Sequence, residues 1–278
     1  MADSSNVLGE FLRARRELVT PEQVGITNLG TRRVPGLRRE EVAMLAGVSA
    51  EYYLRLEQGR HRNPSAHVLE AIGRVLRLDG ESITYLLDLV ANNSRQKRRR
   101  VQHETIPAGV EKLIAALPMP AFVEGRYLDI LAANALAASV SPRLVVGGNR
   151  IIDVFLDPDE RELLLDWDSA TETLVAAFRQ SVGTHLDDPR LIELVGQLSL
   201  ASPRFRRLWA RHDIGGRRGA VMRLRHPVVG DLNLNWEKLI VAEAQHLSIA
   251  VGHADSGTED AEKLAFLAAT VPAEVEGQ

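Results

Sequence analysis

GVSAEYYLRLEQGR, residues 47–60, follows the apolar run Val42–Ala46, and its reading decides the fold of the amino-terminal third. Gly47 supplies the positive φ of a tight turn, Val48 plugs the angle between two helices, and Ser49 caps the second of them. Two helices joined by a short glycine-containing turn form the helix-turn-helix pattern. The spacing predicts a first helix from about Arg38 to Ala46, with Val42, Leu45 and Ala46 on its buried side and small Ala43 permitting close approach. Tyr53 and Leu56 face inward from the second helix. Ala50, Glu51, Tyr52 and Arg55 remain on its outer face.

Working outward, Val7, Leu8, Phe11 and Leu12 recur at helical spacing, with Arg13, Arg15 and Arg16 in the last turn, where cations suit the helix dipole. Residues 19–37 hold two prolines and three glycines and read as a long connection. It carries Arg32 and Arg33, either as an added arm or as a flexible surface loop. Downstream, Pro64-Ser65 opens a helix with Val68, Leu69, Ile72, Val75 and Leu76, and a further one carries Ile83, Leu86, Leu87 and Val90. The expectation is an all-α domain of five helices.

A chain of 278 residues has room for two cores, at roughly 100–200 residues per domain. It holds no cysteine, which excludes disulfides, thiolate metal sites and a cysteine nucleophile. No stretch approaches the roughly 20 apolar residues that span a bilayer, and the first residues lack a basic segment followed by a hydrophobic one, so a cytoplasmic protein without membrane contact is expected. Of the 34 basic residues only four are lysines, a composition that suits a GC-rich bacterial genome. The net charge of −3 hides an asymmetry: residues 1–103 carry 17 basic against 12 acidic side chains, the remainder 17 against 25. A basic module favours a polyanion; an acidic one does not lie along it.

Residues 92–104, NNSRQKRRRVQHE, combine turn formers with Arg95, Lys97, Arg98, Arg99 and Arg100 ahead of Pro107. The expected organisation is therefore a basic helix-turn-helix domain over 1–92, a basic linker over 93–107, a second domain over 108–270 and a tail over 271–278. In the second domain a short helix carries Val110, Leu113, Ile114 and Leu117, and AFVEGRYLDILAAN (121–134) reads as two short strands around Glu124-Gly125-Arg126, with Asn134 as a cap. Several helices follow, announced by Asp157-Pro158, Asp188-Pro189 and Ser202-Pro203. Val221–His226, Leu232–Trp236 and Leu247–Val251 alternate apolar and polar residues, the pattern of an antiparallel sheet with one buried face. This half is α+β.

LGEFLRARRELV (8–19) and GLRREEVAMLAGVSAEYYLRLEQGR (36–60) resemble the Xre (lambda-repressor-like) class of helix-turn-helix regulators, with Ala43, Gly47, Val48, Ser49, Tyr53, Leu56, Glu57 and Gly59 in register. In that class the second helix of the pair enters the major groove. The resemblance implies that Ser49, Ala50, Glu51 and Arg55 reach bases or adjacent phosphates, that Tyr52 adds a phosphate contact, and that Arg38, Arg39, Arg60 and Arg62 hold phosphates. Arginine is the commonest reader of guanine, and glutamate accepts from cytosine N4. In the second half, YLDILAAN (127–134), VFLDPDERELLLDW (154–167), SPRFRRLWARHDI (202–214) and RHPVVGDLNLNWEKL (225–239) resemble the MmyB-like ligand-binding domain of bacterial transcription regulators. This implies a PAS-like antiparallel sheet with covering helices around an apolar pocket for a fatty-acid-like or other small apolar molecule.

For the pocket, Phe205, Leu208, Trp209 and His212 fall at i, i+3, i+4 and i+7. An imidazole beside an indole on an apolar stripe suits a ligand head group such as a carboxylate. Leu131, Phe178, Val182, Leu234 and Trp236 are further candidates for lining or for plain core. Catalysis finds no residues: His212 and Asp213 are adjacent and diverge on a helix, and neither a Gly-x-Ser-x-Gly elbow nor a phosphate loop accompanies them. His226, His246 and His253 match no metal-ligand spacing, and no cofactor is required. The reading is a non-enzymatic regulator that binds a double-stranded operator, as a homodimer across paired half-sites, with a small apolar ligand modulating that binding. The alternative is a small-molecule-binding or enzymatic protein whose basic helical domain holds a protein partner.

Overall fold

The computed structural model describes residues 6–26, 34–60, 63–93, 104–183, 188–215 and 219–271. Arg32, Arg33, Arg62 and the basic run Arg95–Arg100 lie outside them. The chain divides into two compact units, one of residues 1–100, 182–196 and 206–215, the other of 101–181, 197–205 and 216–278. Residues 182–196 and 206–215, from the second half of the chain, are grouped with the first unit. The reason is local: Ile214 is buried in the core of the first unit, and Asp213 pairs with Arg15 at 2.5 Å.

In the first unit, α1 (Val7–Leu18), a single 3-10 turn (Glu22–Val24), α2 (Arg39–Ala46), α3 (Ala50–Glu57), α4 (Ala66–Val75) and α5 (Gly80–Asn93) follow in order. Each of the first, third and fourth helices starts on a polar cap. Asn6, Ser49 and Ser65 accept from the backbone N–H of Gly9, Tyr52 and Val68, satisfying donors that the first helical turn leaves unpaired. Phe11, Leu12, Val42, Tyr53, Leu56, Leu69, Ile72 and Leu86 form the core. The inward face of α2 is Val42 and Ala43; Leu45, expected inside, is 40% exposed. Helix α2 packs on α3 and α4; Val42 and Ala43 join the core, whereas Met44 and Leu45 in the last turn before Gly47 point outward.

The second unit is built on α6 (Ala108–Ala116), β1 (Ala121–Glu124), β2 (Ile130–Ala133), α7 (Ala135–Val140), α8 (Arg150–Leu156), α9 (Pro158–Leu163), α10 (Trp167–Val182), β3 (Ala220–His226), β4 (Gly230–Ile240), β5 (Ser248–His253) and α13 (Glu259–Thr270). Between α10 and β3 run α11 (Pro189–Ala201) and α12 (Pro203–Ala210), which contribute to both units. The sheet is antiparallel throughout, in the order β2-β1-β5-β4-β3, which with its covering helices is the expected PAS-like α+β domain. One sheet face carries Ala121, Val123 and Ile249 and packs with Ile114 of α6. By strand alternation the other face carries Phe122, Glu124, Trp236, Lys238, Ala250 and Met222. His226 closes this face at the β3–β4 turn: its Nδ1 accepts from Val228 and Val229 N–H, and Nε2 donates to Ser139 O at 2.8 Å.

Candidate functional site

Two surfaces hold the candidate residues. On the first unit, Gly47 sits at φ 69°, and its N–H donates to the carbonyls of Ala43 and Met44. The chain is thereby turned so that α3 starts on Ser49, whose Oγ accepts from Tyr52 N–H at 3.1 Å. Tyr53 and Leu56, both fully buried, pin the inner side of α3. Ser49, Ala50, Glu51 and Arg55 are exposed, and Tyr52 is half-buried against the core, where burial pushes its phenol upward. Arg55 donates to Glu51 Oε1 at 2.5 Å, an i,i+4 pair with the acid on the N-terminal side, the favourable order.

The end of α3 is fixed by Glu57, which is completely buried. It accepts from Arg16 Nε at 2.6 Å and from Arg39 Nε at 2.6 Å. Burial alone would raise its carboxyl; the two guanidinium groups outweigh it and hold the pKa below the ordinary value. Arg39, read from sequence as a phosphate contact, is thus tied inward while 42% of its side chain stays exposed. Arg38 is exposed and precedes α2, with its N–H donating to Glu41 Oε2 at 2.7 Å. Arg60 is exposed just beyond α3. Sequence reading missed Glu57 as the anchor; an acidic residue in an otherwise apolar register was its signal.

In the second unit a cavity of about 200 Å³ lies between the sheet, α8 and α10. On α10 its lining residues are Ala170, Thr173, Leu174 and Ala177, one helical face at i, i+3, i+4 and i+7. Small Ala220 and Ala250 keep the sheet side open, and Trp236 forms a wall. Gly252 makes that wall possible, because a Cβ there would meet the Trp236 ring at 3.1 Å. Trp236 is buried, tilts against Phe122 at 5.4 Å, and its Nε1 has no hydrogen-bond partner among the described residues.

Three cations line this cavity. Lys238 pairs closely with buried Glu124, which also accepts from Ser248 Oγ at 3.2 Å. Arg223 pairs with Asp166 at 3.2 Å. Arg150 has its guanidinium 5.2 Å from the Phe122 ring centroid and no ion-pair partner among the described residues. A narrower recess of about 20 Å³, enough for one water, adjoins Arg150 and adds Ser141, Asp153 and Glu160. Burial raises both carboxyls above the ordinary range. Ser141 donates to Glu160, while Asp153 Oδ2 is buried without a hydrogen-bond partner among the described residues.

Of the lining candidates read from sequence, Trp236 lies on this cavity. Leu234 and Phe178 are fully buried beside lining residues without lining it, and Leu131 packs on the opposite sheet face. Trp209 and His212 belong to the first unit. The stripe expected to carry His212 ends early: α12 stops at Ala210, and His212 adopts φ 54° with its ring 6.4 Å from that of Phe11. Arg150, Lys238 and the α10 face were not singled out from sequence, although the α10 spacing was readable. Among the described residues no group of three or more His, Asp or Glu is placed to hold a metal, and no helix is long and apolar enough to cross a membrane.

Residues 106–267 match the family model described as MmyB-like transcription regulator ligand binding domain, and residues 7–86 match the one described as helix-turn-helix domain. No curated protein matches the sequence.

Proposed function

From a chain that belongs to the family of MmyB-like transcription regulator ligand-binding domains, we infer a regulator whose cavity takes an elongated apolar molecule with an anionic end, and whose operator binding responds to it. At the coarser level the chain is a DNA-binding transcription regulator with a ligand-binding domain. The observation that carries the ligand class is Arg150: a cation on an apolar cavity wall, with no carboxylate in salt-bridge contact among the described residues and with its carboxylate neighbours Asp153 and Glu160 held above their ordinary pKa by burial, favours an anionic head group. The alanine face of α10 and the Trp236 wall suit a hydrocarbon body, as in a fatty acid. On the DNA side, Ala50, Glu51 and Arg55 present one exposed face of an anchored helix, the arrangement that reads a major groove. Binding as a homodimer to paired half-sites belongs to the same proposal.

Titration calorimetry with dodecanoate tests the ligand class. Arg150→Ala is expected to weaken binding about tenfold or more, the loss of one charge-assisted contact of roughly 1.5–3 kcal/mol. Unchanged affinity for dodecanoate and for dodecanol alike would remove Arg150 from the head-group site.

A further inference from the structure

On α8, Arg150, Asp153 and Val154 stand at i, i+3 and i+4, one face of the helix. The start of that helix is fixed by Asn149, whose side chain accepts from Ile152 N–H and donates to Asp129 Oδ1 at 2.8 Å and to Tyr127 O at 2.9 Å. All three residues of the face line the recess of about 20 Å³, and Arg150 and Val154 line the large cavity as well. Leu164, Met222 and Trp236 are likewise shared. The recess is thus a side pocket of the cavity, placed beside the cation that has no ion-pair partner among the described residues.

Most of its polar groups are satisfied. Arg143 pairs with Asp157, and Ser141 Oγ accepts from Arg143 N–H at 3.3 Å while donating to Glu160. Two buried atoms of its lining residues have no hydrogen-bond partner among the described residues: Asp153 Oδ2, an acceptor, and Trp236 Nε1, a donor. Burial raises the Asp153 carboxyl and Asp157 adds to the rise, against Arg143, the Asn149 N–H and Arg150. A further donor to that carboxyl would relieve it. A group entering the recess has about the size of one water molecule, adjoins an anion held by Arg150, accepts from an indole N–H and donates to a carboxylate. A carbonyl accepts without donating and an ammonium donates without accepting; a hydroxyl does both. An aliphatic acid with nothing but its carboxylate on Arg150 leaves both buried atoms unpaired, a desolvation cost that a hydroxyl removes.

We propose that this recess is a hydroxyl subsite and that the second unit takes a hydroxylated aliphatic acid: carboxylate on Arg150, hydroxyl between Trp236 Nε1 and Asp153 Oδ2, hydrocarbon along the α10 face. The inference rests on the reading that the cavity takes an apolar molecule with an anionic end. It adds the second polar group and its position. Residues three apart on a helix stand about 5–6 Å from each other at Cβ, so the hydroxyl belongs on the second or third carbon.

Titration calorimetry on the full-length chain compares dodecanoate with 2-hydroxydodecanoate, 3-hydroxydodecanoate and 3-oxododecanoate, the last of which accepts but does not donate. At least one hydroxy acid is expected to bind about tenfold or more tighter than dodecanoate, and the oxo acid no better than dodecanoate. Asp153→Ala deletes the acceptor and Trp236→Phe the donor; in each, the ratio of the two dissociation constants is expected to fall below about threefold. A ratio is read whatever the substitution does to overall affinity, and the native comparison needs neither variant. Hydroxy acids that both bind within twofold of dodecanoate overturn the hydroxyl subsite, leave the recess to a water molecule and keep the anionic apolar ligand. A preference that survives in both variants, or an equal gain from the oxo acid, overturns the subsite as well. Binding of none of the four acids overturns the ligand reading, and the subsite with it.

Discussion

Replacing Glu57 by glutamine tests how the recognition helix is held. The substitution is nearly isosteric and removes one charge from a completely buried site where Arg16 and Arg39 converge at 2.6 Å each. Breaking a buried ion pair by neutralising one partner costs about 3–5 kcal/mol. Arg16 keeps its bond to Leu37 O at 2.8 Å, and Arg39 is already partly solvated, so the lower end, about 3 kcal/mol, applies here. That free energy corresponds to roughly a hundredfold increase in opening, at tenfold per 1.4 kcal/mol, and hydrogen exchange of the α1 and α3 amides reads it directly. The pH dependence carries a definite sign. A carboxyl whose folded pKa lies below its unfolded one stabilises fully above the ordinary carboxylate range, and the contribution fades as pH falls through the depressed value. Protection of α1 and α3 should therefore drop with acid in the native chain and be flatter in Glu57→Gln. Exchange within threefold of native at neutral pH would show that the buried triad is not what holds α3.

Arg55→Ala should lower affinity for a selected operator by about 1–3 kcal/mol while leaving binding to random DNA nearly unchanged; equal losses in competition assays would make Arg55 a phosphate contact. Its pair with Glu51 is largely solvated and, as an i,i+4 pair, stabilises the helix by only about 0.2–0.5 kcal/mol, so the melting temperature should barely move. Glu160→Gln should raise the stability of the second unit at neutral pH, because the native carboxyl is held above its ordinary pKa by burial and its ionisation opposes folding. The advantage should vanish below the unfolded carboxylate pKa and grow as pH rises through the folded one; calorimetric scans from pH 4 to 8 that show a pH-independent difference would refute it.

The helix-turn-helix was legible because its determinants are local. Gly47, Ser49, Tyr53 and Leu56 each announce a backbone angle, a cap or a buried register within a dozen residues. Leu45 misled because periodicity marks an apolar stripe without saying where the neighbouring helices stop. The strands of the second unit were legible for the same reason as the cap, with β4 running on to Ile240 beyond the alternation read from sequence. The cavity was not, since Ala170 and Ala177 look alike whether they admit a close neighbour or leave a gap, and only the opposing sheet decides. His212 was misplaced because Arg211 and His212 are acceptable helix formers with no glycine or proline to stop them. The pair of Asp213 with Arg15, nearly 200 residues away in sequence, and the burial of Ile214 in the core of the first unit hold the turn.

The unpartnered indole N–H of Trp236 has an optical consequence. Only three tryptophans occur in the chain, and Trp167 already donates to Val154 O at 2.8 Å, so Trp236 is a chromophore whose excited-state dipole meets no fixed acceptor among the described residues. Its emission belongs at the short-wavelength end. With Trp167 and Trp209 replaced by phenylalanine it becomes a single-site lamp inside the cavity wall, turning the arrival of any molecule there into a change of colour or brightness that needs no label.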